Sequence, residues 1–354
     1  MDLTKILQLA RLHSVTVAAA TALEKAIPLP PDFMEEKYKA IRRFSLFEVE
    51  RAKILHELEQ NKIWYLPLKG IVMANDYPQK NMREMADNDI LYDAARQDDV
   101  QNIMERLGFI CKLKDANHHD LYRKGKLLLF EMHHSLLDKN AYPESYAYYS
   151  EIKERLVPAS GSDYGFRMTE EDFYIFMIVH TYKHYIRCGT GLRSLLDVYV
   201  FLQKHGETLD RTYIRGELCK LQLLSYEQQI SSLSVKVFTR QSLSEEEQRL
   251  LAFYIESNAY GTRENLMTRQ LGNDDSAEAK LKYALKRIFP TGQELKINHP
   301  ETARHKVLYP FMVVYRPVKG MIKKRKLMFG EIKQLKNFHK KELPEHSPDR
   351  KESK

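Results

Sequence analysis

The sequence predicts an α+β fold in which a small sheet-bearing core lies between N-terminal helices and a C-terminal helical domain. Apolar residues recur at helical spacing before residue 60 and again after residue 165. The stretch between them is built of short aromatic and β-branched runs punctuated by Gly and Pro. At 354 residues the chain has room for about two domains of ordinary size. The expected divisions are 1–60 (helices packing on the core), 61–140 (the core), 165–290 (a covering helical domain) and 291–354 (a basic helical segment with a frayed tail).

In the first sixty residues, Pro28-Leu29-Pro30-Pro31 separates one helix from a second. Asp32 stands where it can cap that second helix, with Glu35 as its capping-box partner. Ile63–Leu68 reads as a strand stopped by Lys69-Gly70, and Asp89–Tyr92 as another. Asp93 or Asp98 starts a helix that ends at Leu107-Gly108. Phe109–Leu113 and Lys126–His133 are two further strands, joined by the polar stretch Lys114–Gly125. Thr169 opens a helix toward Arg187, Gly189-Thr190-Gly191 separates it from Leu192–Lys204, and Ser244 with Glu247 forms a capping box.

Composition narrows the class. With 43% apolar and 29% charged residues the chain is not wholly disordered. Apolar runs such as Phe173–Val179 fall far short of the ~20 residues that span a bilayer. Met1-Asp2-Leu3-Thr4-Lys5 does not look like a signal peptide, and three scattered cysteines form no disulfide framework. A reduced, cytoplasmic protein is expected. The net charge of +8 is concentrated: residues 301–354 hold 15 Lys/Arg against 6 Asp/Glu, whereas residues 1–300 are close to balance. Such an end is attracted to anions, but a docked helix with its lysines in water is the preferred reading.

Chemistry concentrates in Arg83–Leu91. In an extended chain Asp87 and Asp89 share a face about 7 Å apart, a costly pairing that a hard divalent cation relieves. Lys69-Gly70 at a strand end, followed by a helix-compatible run, suits an anion. Arg83 is available to a phosphate. Glu131 closes an otherwise apolar strand and needs a partner, and His133 shares its face.

Leu68-Lys69-Gly70, Tyr77-Pro78, Arg83, Asp87-Asn88-Asp89 and Glu131-Met132-His133 together resemble the uncharacterised nucleotidyltransferases of the DNA polymerase beta superfamily. His180-Thr181-Tyr182-Lys183-His184 and Gly191–Asp197 extend the likeness, which covers roughly residues 40–205. The resemblance implies a small mixed β-sheet holding two Mg²⁺ ions, with Mn²⁺ as the alternative. It implies transfer of a nucleoside monophosphate from an NTP to a hydroxyl of an unidentified acceptor, with release of pyrophosphate. Carried over, Asp87, Asp89 and Glu131 are the catalytic metal ligands. Lys69, Gly70, Arg83, Lys183 and Arg193 contact nucleotide, and His133, His180 and His184 support the site or touch substrate. Two positions depart from the family: Lys69 replaces the usual Gly-Ser turn, and Asn88 stands where an aliphatic residue is usual. They motivate the rival reading, an inactive nucleotide- or polyanion-binding module.

Other readings stay open. His180 and His184 have zinc-ligand spacing, but Thr181 replaces the glutamate of a metalloprotease. Arg193 and Asp197 are placed for a helix-surface ion pair. Tyr142, Tyr146, Tyr148 and Tyr149 suit a packed loop better than a base-stacking platform. Lys323–Lys326 beside an apolar run permits contact with an anionic membrane, and no specific nucleic acid partner is expected.

Overall fold

The computed structural model describes residues 2–116, 118–271, 274, 276–288 and 335. Apart from Leu335, the expected basic segment 291–354, with Lys323–Lys326, lies outside the described residues. Three helices, not two, precede the sheet: α1 (Leu3–Leu12), α2 (Thr16–Leu23) and the 30-residue α3 (Pro31–Gln60). Ser14, at a φ of +53°, makes the extra break. Pro30 takes the cap of α3 and Pro31 its first turn, where a missing N–H costs nothing. Asp32 therefore lies inside the first turn and is not the cap.

The core follows as β1 (Tyr65–Pro67), α4 (Gly70–Met73), β2 (Asn88–Tyr92), α5 (Gln97–Arg106), β3 (Ile110–Ala116), β4 (His119–Lys124) and β5 (Leu128–His133). Asp93 caps a 3-10 turn ahead of α5, and Gly108, at a φ of +82°, ends that helix in the left-handed region expected of it. The Lys114–Gly125 stretch is not a connector. It supplies the end of β3 and all of β4. The five strands form one mixed sheet in the order β1-β2-β5-β4-β3, with β2 and β5 parallel and the other pairs antiparallel.

Alternation along β2 and β5 sorts side chains between two cores. Ile90, Tyr92, Phe130 and Met132 pack on one face against Phe47, Ile54 and Leu58 of α3 and Val100, Ile103 and Met104 of α5. Full burial of each such aliphatic or aromatic side chain contributes about 1.5–3 kcal/mol. Asn88 shares that face and is fully buried, its Oδ1 accepting from Arg51 Nη1 of α3 at 2.8 Å. A polar residue thus fills the expected aliphatic position without an unpaired oxygen. Leu91 faces the other way, into the larger core.

That core belongs to the helices after the sheet. After α6 (Pro143–Tyr148) and a short hairpin of β6 (Val157–Pro158) and β7 (Phe166–Arg167) come α7 (Glu170–Arg187), α8 (Leu192–His205), α9 (Arg211–Lys220) and α10 (Leu224–Phe238). They are followed by α11 (Glu245–Ser257), α12 (Arg263–Leu271) and α13 (Ala277–Ile288). Thr169 caps α7 by accepting from the Asp172 N–H, and the Ser244–Glu247 capping box opens α11. Tyr149 is buried in this core, but Tyr146 and Tyr148 belong to the helix α6 and not to a loop. Among the described residues no helix is long and apolar enough to cross a membrane, and the three cysteines are free.

A buried polar knot ties the segment ahead of β2 to α8. Asp197 Oδ1 accepts from Arg83 Nε at 2.6 Å and from the Tyr77 hydroxyl at 2.7 Å. Removing one partner of a buried pair strands the other's charge. Asp197→Ala is expected to lower unfolding free energy by about 3–5 kcal/mol in urea denaturation, and a loss under about 1 kcal/mol contradicts this role.

Candidate active site

The parallel register of β2 and β5 sets Asp89 beside Glu131, and Leu91 beside His133. The antiparallel register of β4 and β5 sets His119 opposite His133 and Leu121 opposite Glu131. Asp89, Glu131 and His133 therefore rise from one face of the sheet, the face opposite α3. His133 Nε2 lies 2.9 Å from Asp89 Oδ1 and 3.5 Å from Glu131 Oε2, and His119 Nε2 lies 3.7 Å from Glu131 Oε1. His133 and Asp89 are buried, while Glu131 is half-buried.

Lys69 enters from the turn between β1 and α4. Its Nζ donates to Asp89 Oδ1 at 2.6 Å. Its backbone has φ +52° and ψ −119°, a conformation natural to glycine, which costs a lysine on the order of 1–3 kcal/mol. A Cβ on Gly70 would stand 3.0 Å from Met85 Cγ and 3.4 Å from Arg83 Nη1, so Gly70 permits the turn to press against the segment leading to Asp87. Asp87 itself precedes β2 and is half-buried.

Two groups among the described residues bring possible ligand atoms within 4.8 Å of one another: Asp89, Glu131 and His133, and His118, His119 and His133. Asp87 belongs to neither, but its charge interacts with those of Asp89, Glu131 and Lys69. Burial, then the charges of Asp89 and Glu131, raise the Asp87 carboxyl. Burial opposes the Asp89 charge too, but Lys69 and His133 outweigh it and hold the carboxyl well below the usual range. The reverse balance holds for Lys69: burial pushes it down, and Asp89, Glu131 and Asp87 more than restore it. Carboxylate oxygens are the donors that a hard divalent cation takes, and Asp89 and Glu131, with His133, form a possible metal-binding group.

The face of α7 above the sheet is basic. Burial, reinforced by Lys69, lowers Lys183 to about 8, and Asp89 and Glu131 act in the opposite sense. Burial brings His184 down to about 3 and His119 to about 4, and lowers His118 and His180 as well. The His180 and His184 rings lie 4.7 Å apart, and neither belongs to the ligand groups above.

Two expected contacts fall elsewhere. Arg83 is engaged with Asp197 and the Glu84 carbonyl, so its guanidinium is committed within the protein and not held free for a phosphate. Arg193 makes no pair with Asp197: it stacks on Tyr260 at 4.8 Å and donates to the Tyr260 hydroxyl at 3.0 Å. Its charge still bears on Asp87. His133 stands in the cluster itself, not behind it, whereas His134 turns away to Asp120. The sequence reading missed His118 and His119. Their signal was three consecutive ligand-capable residues, His118-His119-Asp120, ahead of the His133-His134 pair.

Two cavities adjoin these residues. One of about 410 Å³ is walled by Lys183, Tyr142, Tyr182 and Ile186. The other, of about 490 Å³, is lined by Arg11, Arg42, Arg43, Tyr260 and the stretch Glu84–Ala86 just before Asp87.

The family described as uncharacterised nucleotidyltransferases matches residues 1–239, which include every strand of the sheet and helices α1–α10. No curated protein and no solved structure matches the chain. Because the match spans most of the sequence and all the residues of the carboxylate cluster, the chain belongs to the uncharacterised nucleotidyltransferase family.

Proposed function

We propose that the protein transfers a nucleoside monophosphate from an NTP to a hydroxyl of an acceptor, with Asp87, Asp89 and Glu131 as the ligands of divalent cations. The observation that carries this reading is the side-by-side register of Asp89 and Glu131 on parallel strands, with Asp87 two residues upstream. Bound there, Mg²⁺ supplies charge neutralisation for the phosphates and activation of the attacking oxygen. Glu131, which is half-buried, takes the proton of the acceptor hydroxyl at a carboxylate oxygen. The acceptor oxygen bonds to the α-phosphorus, the bond from that phosphorus to the bridging oxygen breaks, and pyrophosphate leaves with the electron pair. Lys69, which otherwise neutralises Asp89, and Lys183 of α7 offset phosphate charge. The cavity of about 410 Å³ beside Lys183 receives the acceptor, with Tyr142 and Tyr182 as its aromatic walls.

A second reading keeps the scaffold without the catalysis. It is favoured by the Lys69 ammonium, which already sits 2.6 Å from Asp89 as an internal counter-charge. Equilibrium titration separates the two: the enzymatic reading expects nucleotide to bind at least tenfold more tightly with Mg²⁺ than without it. Equal affinity, with no acceptor modified in a lysate pool, assigns the binding module.

Asp87→Asn is expected to lower metal-dependent NTP turnover by about 10²–10³-fold, the range for loss of one electrostatic stabiliser. Thermal unfolding should remain near wild type, and unchanged turnover refutes the assignment. The role of Lys183 gives a pH signature. Its ammonium attracts phosphate when protonated, and that charge is lost as pH rises through about 8. The kcat/KM for NTP should therefore fall above about pH 8, whereas Lys183→Met should start lower at pH 7 and lack this alkaline limb. An identical limb in both proteins removes Lys183 from the site.

A further inference from the structure

The histidines beside the carboxylates have a chemistry that nucleotidyl transfer with Mg²⁺ does not use. His118, His119 and His133 present ligand-capable nitrogens within 4.8 Å of one another. Their rings are mutually close, with centroids 4.8 Å apart for His118–His119, 5.2 Å for His118–His133 and 5.1 Å for His119–His133. Strand geometry produces this triangle: β4 and β5 set His119 opposite His133, and the His134 N–H donates to the His118 carbonyl at 2.9 Å.

All three rings also carry a buried Nδ1 with no hydrogen-bond partner. Buried imidazole nitrogens ordinarily find one, because an unmatched donor or acceptor away from water is costly. Three such atoms in one cluster, one of them on the fully buried His133, are a second and independent sign of an absent partner. A neutral imidazole is a nitrogen donor of borderline softness, suited to Zn²⁺ and its neighbours and poorly matched to Mg²⁺, which takes oxygen. Nitrogens around a tetrahedral ion at about 2.0–2.1 Å stand about 3.4 Å apart, so the rings need only a small inward rotation.

We propose that His118, His119 and His133 bind one transition-metal ion of the Zn²⁺ class, at a position adjoining the carboxylate cluster but distinct in its ligands. His133 connects the two positions, since its Nε2 also reaches Asp89 and Glu131. The ion fixes the ring orientation of His133 and thereby the carboxylates it touches. The site stands on its own residues and does not require that NTP be turned over.

The test uses the full-length chain without an affinity tag, titrated with Co²⁺ and followed by visible ligand-field absorption. One Co²⁺ per chain is expected to bind with bands typical of nitrogen ligation, apart from any Co²⁺ that the carboxylates take, and Zn²⁺ should displace it stoichiometrically. A hundredfold excess of Mg²⁺ should not. His119→Gln and His118→Gln should each weaken Co²⁺ binding at least tenfold, whereas His56→Gln, exposed on α3, should leave it within twofold of wild type. Circular dichroism identifies any variant that fails to fold, in which case the other histidine variant is read. Absence of ligand-field bands in the wild type, displacement by Mg²⁺, or undiminished affinity in a folded histidine variant overturns the proposal.

Discussion

The parallel pairing of β2 with β5 is the constraint on which the rest of the molecule depends. Neighbouring strands lie about 4.8 Å apart, so register alone forces Asp89 and Glu131 into proximity on a face covered by helices. Two carboxylates so placed repel and lose solvation unless positive charge stands between them. Lys69 meets that demand at the cost of a backbone conformation suited to glycine. His133 adds a third group from β5, directly against both acids. The opposite face of the same strands is filled by α3 and α5, which hold the register that brings the acids together.

The arrangement divides chemically. Oxygen donors gather at Asp87, Asp89 and Glu131, while nitrogen donors kept neutral by burial gather at His118 and His119, with α7 adding His180 and His184 nearby. Lys183 lines an aromatic-walled cavity, and its ammonium feels both the buried surroundings and the charges of Asp89 and Glu131. Membership of the uncharacterised nucleotidyltransferase family accords with the oxygen half of this division. The walls of the cavity proposed for the acceptor come mainly from the helices after the sheet.

Much of this was legible in the amino-acid sequence, for local reasons. Alternation along extended segments set Asp87 with Asp89, and Glu131 with His133, while the pairing that puts Asp89 beside Glu131 depends on which strands meet. Strand β4 was not legible because both of its faces carry polar residues: His119 looks into the cluster and Asp120 toward Gln97 and His134. A strand whose alternation is polar against polar reads as a connector. The partners of Arg83 were equally hidden, since Asp197 stands 114 positions away and only the packing of α8 brings it near. At α3 the competing rule was proline chemistry, which made Pro31 the first turn and displaced Asp32 from the cap.

The most direct test of the central claim is anomalous scattering from crystals grown with Mn²⁺ and a non-hydrolysable NTP analogue. The account predicts manganese peaks at coordination distance from Asp87, Asp89 and Glu131, bridging to the analogue's phosphates, with Lys69 drawn off Asp89 toward the nucleotide. Nucleotide bound elsewhere, with no manganese on these carboxylates and the Lys69–Asp89 pair intact, would contradict it.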